Sequence, residues 1–150
     1  MRVGYNGANP CIKRVAGDQF SGLSRLHLQD LTPGAALHVE SRERVSVTPT
    51  RRPVVWSEGT CAFTLDAFCD EMGLRPQGIK IDVDGTEPEV LEGGSKTLAS
   101  DTLRSVMIEI PADEGARRAC ERFLTAAGLR PAWQDPSGTT PNEVWARDGA

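Results

Sequence analysis

The sequence has little of what metal and redox chemistry requires. Histidine occurs twice, at His27 and His38, and neither has a cysteine or histidine neighbour at ligand spacing, which argues against a zinc site. The four cysteines, Cys11, Cys61, Cys69 and Cys120, show neither metal-type nor redox-type spacing. They read as buried or inert thiols of a reduced, cytoplasmic protein. No apolar stretch approaches the ~18 residues needed to span a bilayer, so no membrane partner is expected. The opening MRVGYNGANPCIKRVAG lacks the apolar region of a signal peptide. Positive charge is not in excess: the formal net charge is −4 and the pI about 5.2, against the basic face of a nucleic-acid binder. Arg42, Arg44, Arg51 and Arg52 make a local basic patch that reads as a solvated loop or strand edge.

What is present is ordinary globular material, 39% hydrophobic and 25% charged over 150 residues, which is one domain by length. Its halves differ. Residues 1–60 are broken by Gly and Pro and read as irregular, with short strands expected near 43–48 and 53–56. Residues 61–150 are regular. TLDAFCDEMGL spaces Leu65, Phe68 and Met72 as a helix ending at Gly73. GIKIDV (78–83) is a strand. Thr86 and Glu89 then form a capping box opening a helix to about Ala99, in which Gly93 and Gly94 imply close helix–sheet packing. LRSVMIEI (103–110) is a second strand. DEGARRACERFLTAAG is a helix with Asp113 as cap and Gly128 beyond its end. LRPAWQ and NEVWARD are closing strands whose short connection makes them antiparallel. The alternation predicts a three-layer α/β domain, mainly parallel with a closing antiparallel hairpin. Trp56, Trp133 and Trp145 read as core or edge packing.

Asp82, Asp84 and Glu109 fall at or just past strand ends, where such sheets bind ligands. DVDGT (82–86) after a strand resembles the first motif of haloacid-dehalogenase-like phosphatases. That resemblance would make Asp82 a nucleophile and Asp84 an acid/base, with magnesium neutralising a phosphate. The remaining parts are poorly supplied. Only 64 residues follow Thr86, Lys96 is their sole lysine, and Glu109 and Asp113 are not an adjacent acidic pair.

A wider window fits another family. Thr64-Leu65-Asp66, then Lys80, Ile81, Asp82, Val83, Asp84, Gly85 and Glu87, then Val90, Leu91 and Gly93, then Glu109, resemble the core of the FkbM-type methyltransferases. FSGLSRL (20–26) and NEVWARD are similar to that family's flanking segments, and VAGD (15–18) to part of its adenine-side loop. The resemblance implies a Rossmann-like methyltransferase sheet, S-adenosylmethionine as cofactor and a small-molecule hydroxyl acceptor. It implies Asp82 as the catalytic carboxylate, with Lys80 beside it. Asp84, Gly85, Glu87 and Glu109 would lie near substrate or cofactor, and Asp18 would touch the cofactor. Asp82, Asp84 and Glu109 carry oxygen ligands, yet nothing in their spacing requires a metal.

One departure is large. No G-x-G precedes residue 60, and GYNGANP (4–10) follows no apolar strand, so the glycine-rich cofactor loop is missing. The chain therefore looks like the C-terminal part of such an enzyme. A partner chain or self-association that completes the sheet is a second expectation, with a non-catalytic fragment as the alternative.

Overall fold

The computed structural model describes residues 2–4, 22–32, 39–41, 43–46, 51–83 and 85–149. In chain order the elements are β1 (Arg2–Gly4), β2 (Gly22–Leu28), β3 (Val39–Ser41), β4 (Trp56–Ala62), α1 (Leu65–Glu71), β5 (Gly78–Asp82), α2 (Glu87–Glu92), α3 (Ser95–Ala99), β6 (Ser105–Glu109), α4 (Glu114–Ala126), β7 (Arg130–Gln134) and β8 (Asn142–Ala146). Five strands form one sheet in the order β1-β5-β6-β8-β7, and three form another in the order β3-β2-β4. The chain is thus mixed α/β.

The regular half follows from alternation. In β5, β6 and β8 every second residue is buried, because successive side chains leave opposite faces of a strand. Ile79 and Ile81 pair in register with Val106 and Ile108. With Leu91, Leu98, Cys120 and Leu124 from the helices they make one apolar cluster. The β1–β5 and β5–β6 pairs are parallel, and β8 runs antiparallel to both β6 and β7. The expected adjacency of the 78–83 and 103–110 strands, and the antiparallel closing pair, are therefore observed. Lys80, Asp82, Met107, Glu109 and Val144 face the other side and stay half-buried. Asp113 caps α4 by accepting from the Ala116 amide at 2.9 Å. Gly73 and Gly128 follow α1 and α4 with φ of 61° and 79°, the left-handed region that ends helices at glycine.

Several expectations are overturned. Within the described residues of 1–60 regular pairing is present: β2 pairs with β4 over seven residues and with β3 over three. Of the expected 43–48 strand, 47 and 48 lie outside the described residues, and over 43–46 the chain is bent, β3 having already ended at Ser41. There the Glu43 carbonyl binds a histidine ring rather than a ladder partner. The 53–56 strand begins only at Trp56. A strand, β1, does precede GYNGANP, whose residues from Tyr5 onward lie outside the described set.

The single helix 86–99 is two helices broken at Gly93–Gly94. A Cβ on Gly94 would lie 2.6 Å from Leu65 Cδ2, so the close packing is against α1 and not the sheet. The Thr86 capping box does not form. Thr86 lacks the extended conformation of a cap, and its hydroxyl instead donates back to the Val83 carbonyl at 3.4 Å. Trp145 is core, whereas Trp56 and Trp133 are 54% and 47% exposed.

Candidate functional site at the end of β5

Lys80 and Asp82 are two residues apart on β5 and so share a face. Lys80 Nζ donates to Asp82 Oδ2 at 2.7 Å, with the side chains 32% and 35% exposed. At that exposure the pair contributes at most about 1 kcal/mol to stability, so its main effect is to fix where the carboxylate points. Gly4, the last residue of β1, stands opposite Asp82. Glu109 ends β6 one position after the Ile81–Ile108 register pair, opposite Asn142 of β8. Pleat parity puts it on the same face as Asp82. Asp82, Lys80, Glu109 and Gly4 thus gather at the carboxyl end of the parallel strands.

The turn leaving β5 is built from the inside. Glu87 is 2% exposed. Its Oε1 accepts from the amides of Gly85 at 3.0 Å and Val83 at 3.3 Å, and its Oε2 has no hydrogen-bond partner. Gly85 has φ 100°, a conformation that glycine adopts without strain. Two of the expected site residues therefore shape the loop: Gly85 allows the bend and Glu87 ties it. Asp84, just before Gly85, and Asp18 lie outside the described residues. Burial first, then the Glu87 and Glu89 carboxylates, push the Cys120 thiol up to about 12, so this cysteine is inert beneath the loop.

The T-L-D segment has a physical account that spacing did not reveal. Thr64 Oγ1 caps α1 by accepting from the Ala67 amide at 3.1 Å. Leu65 fills the space beside Gly94. Asp66 reaches across to α3 and accepts from the Lys96 amide at 3.0 Å, the Thr97 amide at 2.8 Å and the Thr97 hydroxyl at 2.7 Å. The Asp66 amide also donates to the Gly93 carbonyl at 3.0 Å. Thr64 starts α1, and Leu65 and Asp66 hold it to the α2–α3 break.

Among the described residues no group of three or more His, Cys, Asp and Glu side chains is arranged to hold a metal ion, and no helix is long and apolar enough to cross a membrane. No family model, curated protein or solved structure matches the chain.

Proposed function

We propose that the chain is the acceptor-side portion of an FkbM-type S-adenosylmethionine-dependent methyltransferase that methylates a hydroxyl of a small molecule or sugar. The observation that carries this reading is the strand order β1-β5-β6-β8-β7 with β8 reversed, and with Asp82 and Glu109 at the carboxyl ends of β5 and β6. It is the order expected for the second half of a Rossmann-like methyltransferase sheet, and ligands of open α/β sheets bind beyond those ends.

The described residues fit the cofactor in part. Two strand-end carboxylates suit a sulfonium cation, and Gly4 opposite Asp82 leaves backbone approachable. The ribose is less well served. No strand lies beyond β1 among the described residues, and that is the side from which a ribose-holding carboxylate comes. When bound, S-adenosylmethionine supplies an electrophilic methyl group. Asp82 would accept the hydroxyl hydrogen of the acceptor and hold its oxygen in line. Lys80 fixes the carboxylate through its 2.7 Å bond. Glu87 keeps the adjoining turn in shape.

A second reading also has an observation behind it. Among the described residues β1 is an open edge of the five-stranded sheet, and open edges invite a further strand. On this reading the chain is non-catalytic until another chain completes it.

Methyl-labelled S-adenosylmethionine, offered with a panel of sugar, lipid and polyketide alcohols, tests both. Where the chain transfers methyl, alone or completed by a partner, Asp82→Asn should lower transfer about 10²–10⁴-fold with cofactor affinity nearly unchanged. No transfer at any cofactor concentration selects the partner-dependent reading. Calorimetry should find cofactor binding by the isolated chain weak or absent, and micromolar binding would mean that residues 1–60 hold a site. Magnesium-dependent phosphate release from an aryl phosphate, abolished by Asp82→Asn, would overturn both readings in favour of the phosphatase.

A further inference from the structure

The small sheet carries a cleft that the proposed chemistry at β5 does not use. Its volume is about 560 Å³, and Arg25, Arg44, Ser57, Val45, Val55 and Trp56 line it. Ligand pockets run from ~300 to ~1,000 Å³, so a small organic molecule fits. Neither the Arg25 nor the Arg44 guanidinium has an ion-pair or hydrogen-bond partner among the described residues. With both guanidiniums lining one cleft, an anion placed there gains attraction from each, on a chain whose net charge is otherwise −4.

The walls are fixed before any ligand arrives. His27 is fully buried and pairs across the β2–β4 ladder with Ser57. Its Nε2 lies 2.9 Å from the Glu43 carbonyl, and its Nδ1 lies 2.8 Å from Ser57 Oγ. A carbonyl only accepts, so Nε2 carries the proton. In the neutral ring Nδ1 then accepts from the Ser57 hydroxyl. That orients Ser57 and pins the residue before Arg44. On the other side of Arg44 the Ser46 carbonyl accepts from the Val54 amide at 3.0 Å, and the Val55 amide donates to the Leu28 carbonyl at 2.8 Å. The arginine-bearing segment and the apolar segment that faces it are thus both tied to the sheet.

We infer that this cleft binds an anionic group, a carboxylate or phosphate monoester, carried on a flat apolar body. The guanidiniums hold the anion through charge-assisted bonds, and Trp56, Val45 and Val55 cover the body. The site binds and does not turn over. Ser57 could pass its proton to His27, but an imidazole with no exposed surface cannot deliver that proton to a leaving group.

The test is calorimetry on the full chain with 4-nitrobenzoate, 4-nitrophenyl phosphate and neutral 4-nitrobenzyl alcohol. At least one anion should bind, and the neutral probe at least about tenfold more weakly. Each of Arg25→Ala and Arg44→Ala should weaken the anion about tenfold or more, and added salt should weaken it further. The stronger anion identifies the headgroup class. Both arginines are exposed, so the variants should keep wild-type circular dichroism. Ser57→Ala, which leaves both cations in place, should retain most of the affinity. No binding of either anion, equal binding of the neutral probe, or undiminished binding by the double arginine variant would overturn the inference. Release of nitrophenolate that persists in Asp82→Asn and is lost in Ser57→Ala would overturn its binding-only part.

Discussion

Asp66 shows how much one carboxylate can organise. It is half-exposed, yet it accepts three hydrogen bonds from the first turn of a helix that is not its own. Asp66→Ala leaves those donors to water and should destabilise the chain by about 1–2 kcal/mol. Asp66→Asn, which keeps one acceptor oxygen, should lose less. Urea titration of the three proteins checks the order. The residue was legible as part of a motif but not as a cap, because its partners stand thirty positions along the chain and no local pattern points to them. The same limit applies at Glu87. Thr86 and Glu89 satisfied the capping-box spacing, whereas the carboxylate that takes the loop amides is the one between them. Asp82 and Lys80 were legible as a pair, since period two alone places them on one face.

At the scale of elements, the break at Gly93–Gly94 and the β7–β8 hairpin carry separate predictions. Gly94 has φ −115°, so alanine there meets no backbone strain. Its Cβ would instead collide with Leu65. Gly94→Ala should cost about 1–3 kcal/mol as overpacking, in the same direction as the N-cap preference for glycine over alanine, and thermal unfolding reads the loss. In the hairpin, Asp135 accepts from the hydroxyls of Ser137 and Thr140 at 2.7 and 2.8 Å and from their amides at 2.9 and 3.0 Å. The Ser137 hydroxyl foremost holds this carboxyl far below the usual range. A depressed value stabilises the fold above the unfolded carboxylate value of about 4 and is lost as pH falls below it. Asp135→Asn should therefore unfold at a lower temperature than wild type at pH 7, and the gap should narrow between pH 4 and pH 2. Helices with caps and strands of alternating Ile and Val could be read from the sequence. The strands of the first sixty residues could not. Trp56–Ala62, WSEGTCA, buries only its last residue, so it has no apolar alternation to detect, and Gly22 opens β2 where a breaker was expected.

For the whole molecule, the parallel β5–β6 pair and the antiparallel β7–β8 pair, though not β1 at the sheet's edge, followed from three facts visible in the sequence. These were strands separated by helices, a closing pair with no room for a crossover, and a carboxylate at each parallel strand end. The smaller sheet and its cleft were invisible, because β2 pairs with β4 across 28 to 40 positions and β4 has no apolar alternation to reveal it. The basic patch read as solvated is so in its described members, Arg44, Arg51 and Arg52, which are all exposed, and Arg44 also lines the cleft together with Arg25.

The clasp between α1 and α3 has a consequence for how the molecule opens. The Lys96 and Thr97 amides begin a five-residue helix, and such first-turn amides normally face water and exchange their hydrogens quickly. Here both are bonded to Asp66. Their exchange is then governed by detachment of α1, not by fraying of α3. Helix α1, the Gly93–Gly94 break and α3 should breathe as one unit behind β5, so loosening near residue 66 is felt near residue 97 within the same opening event.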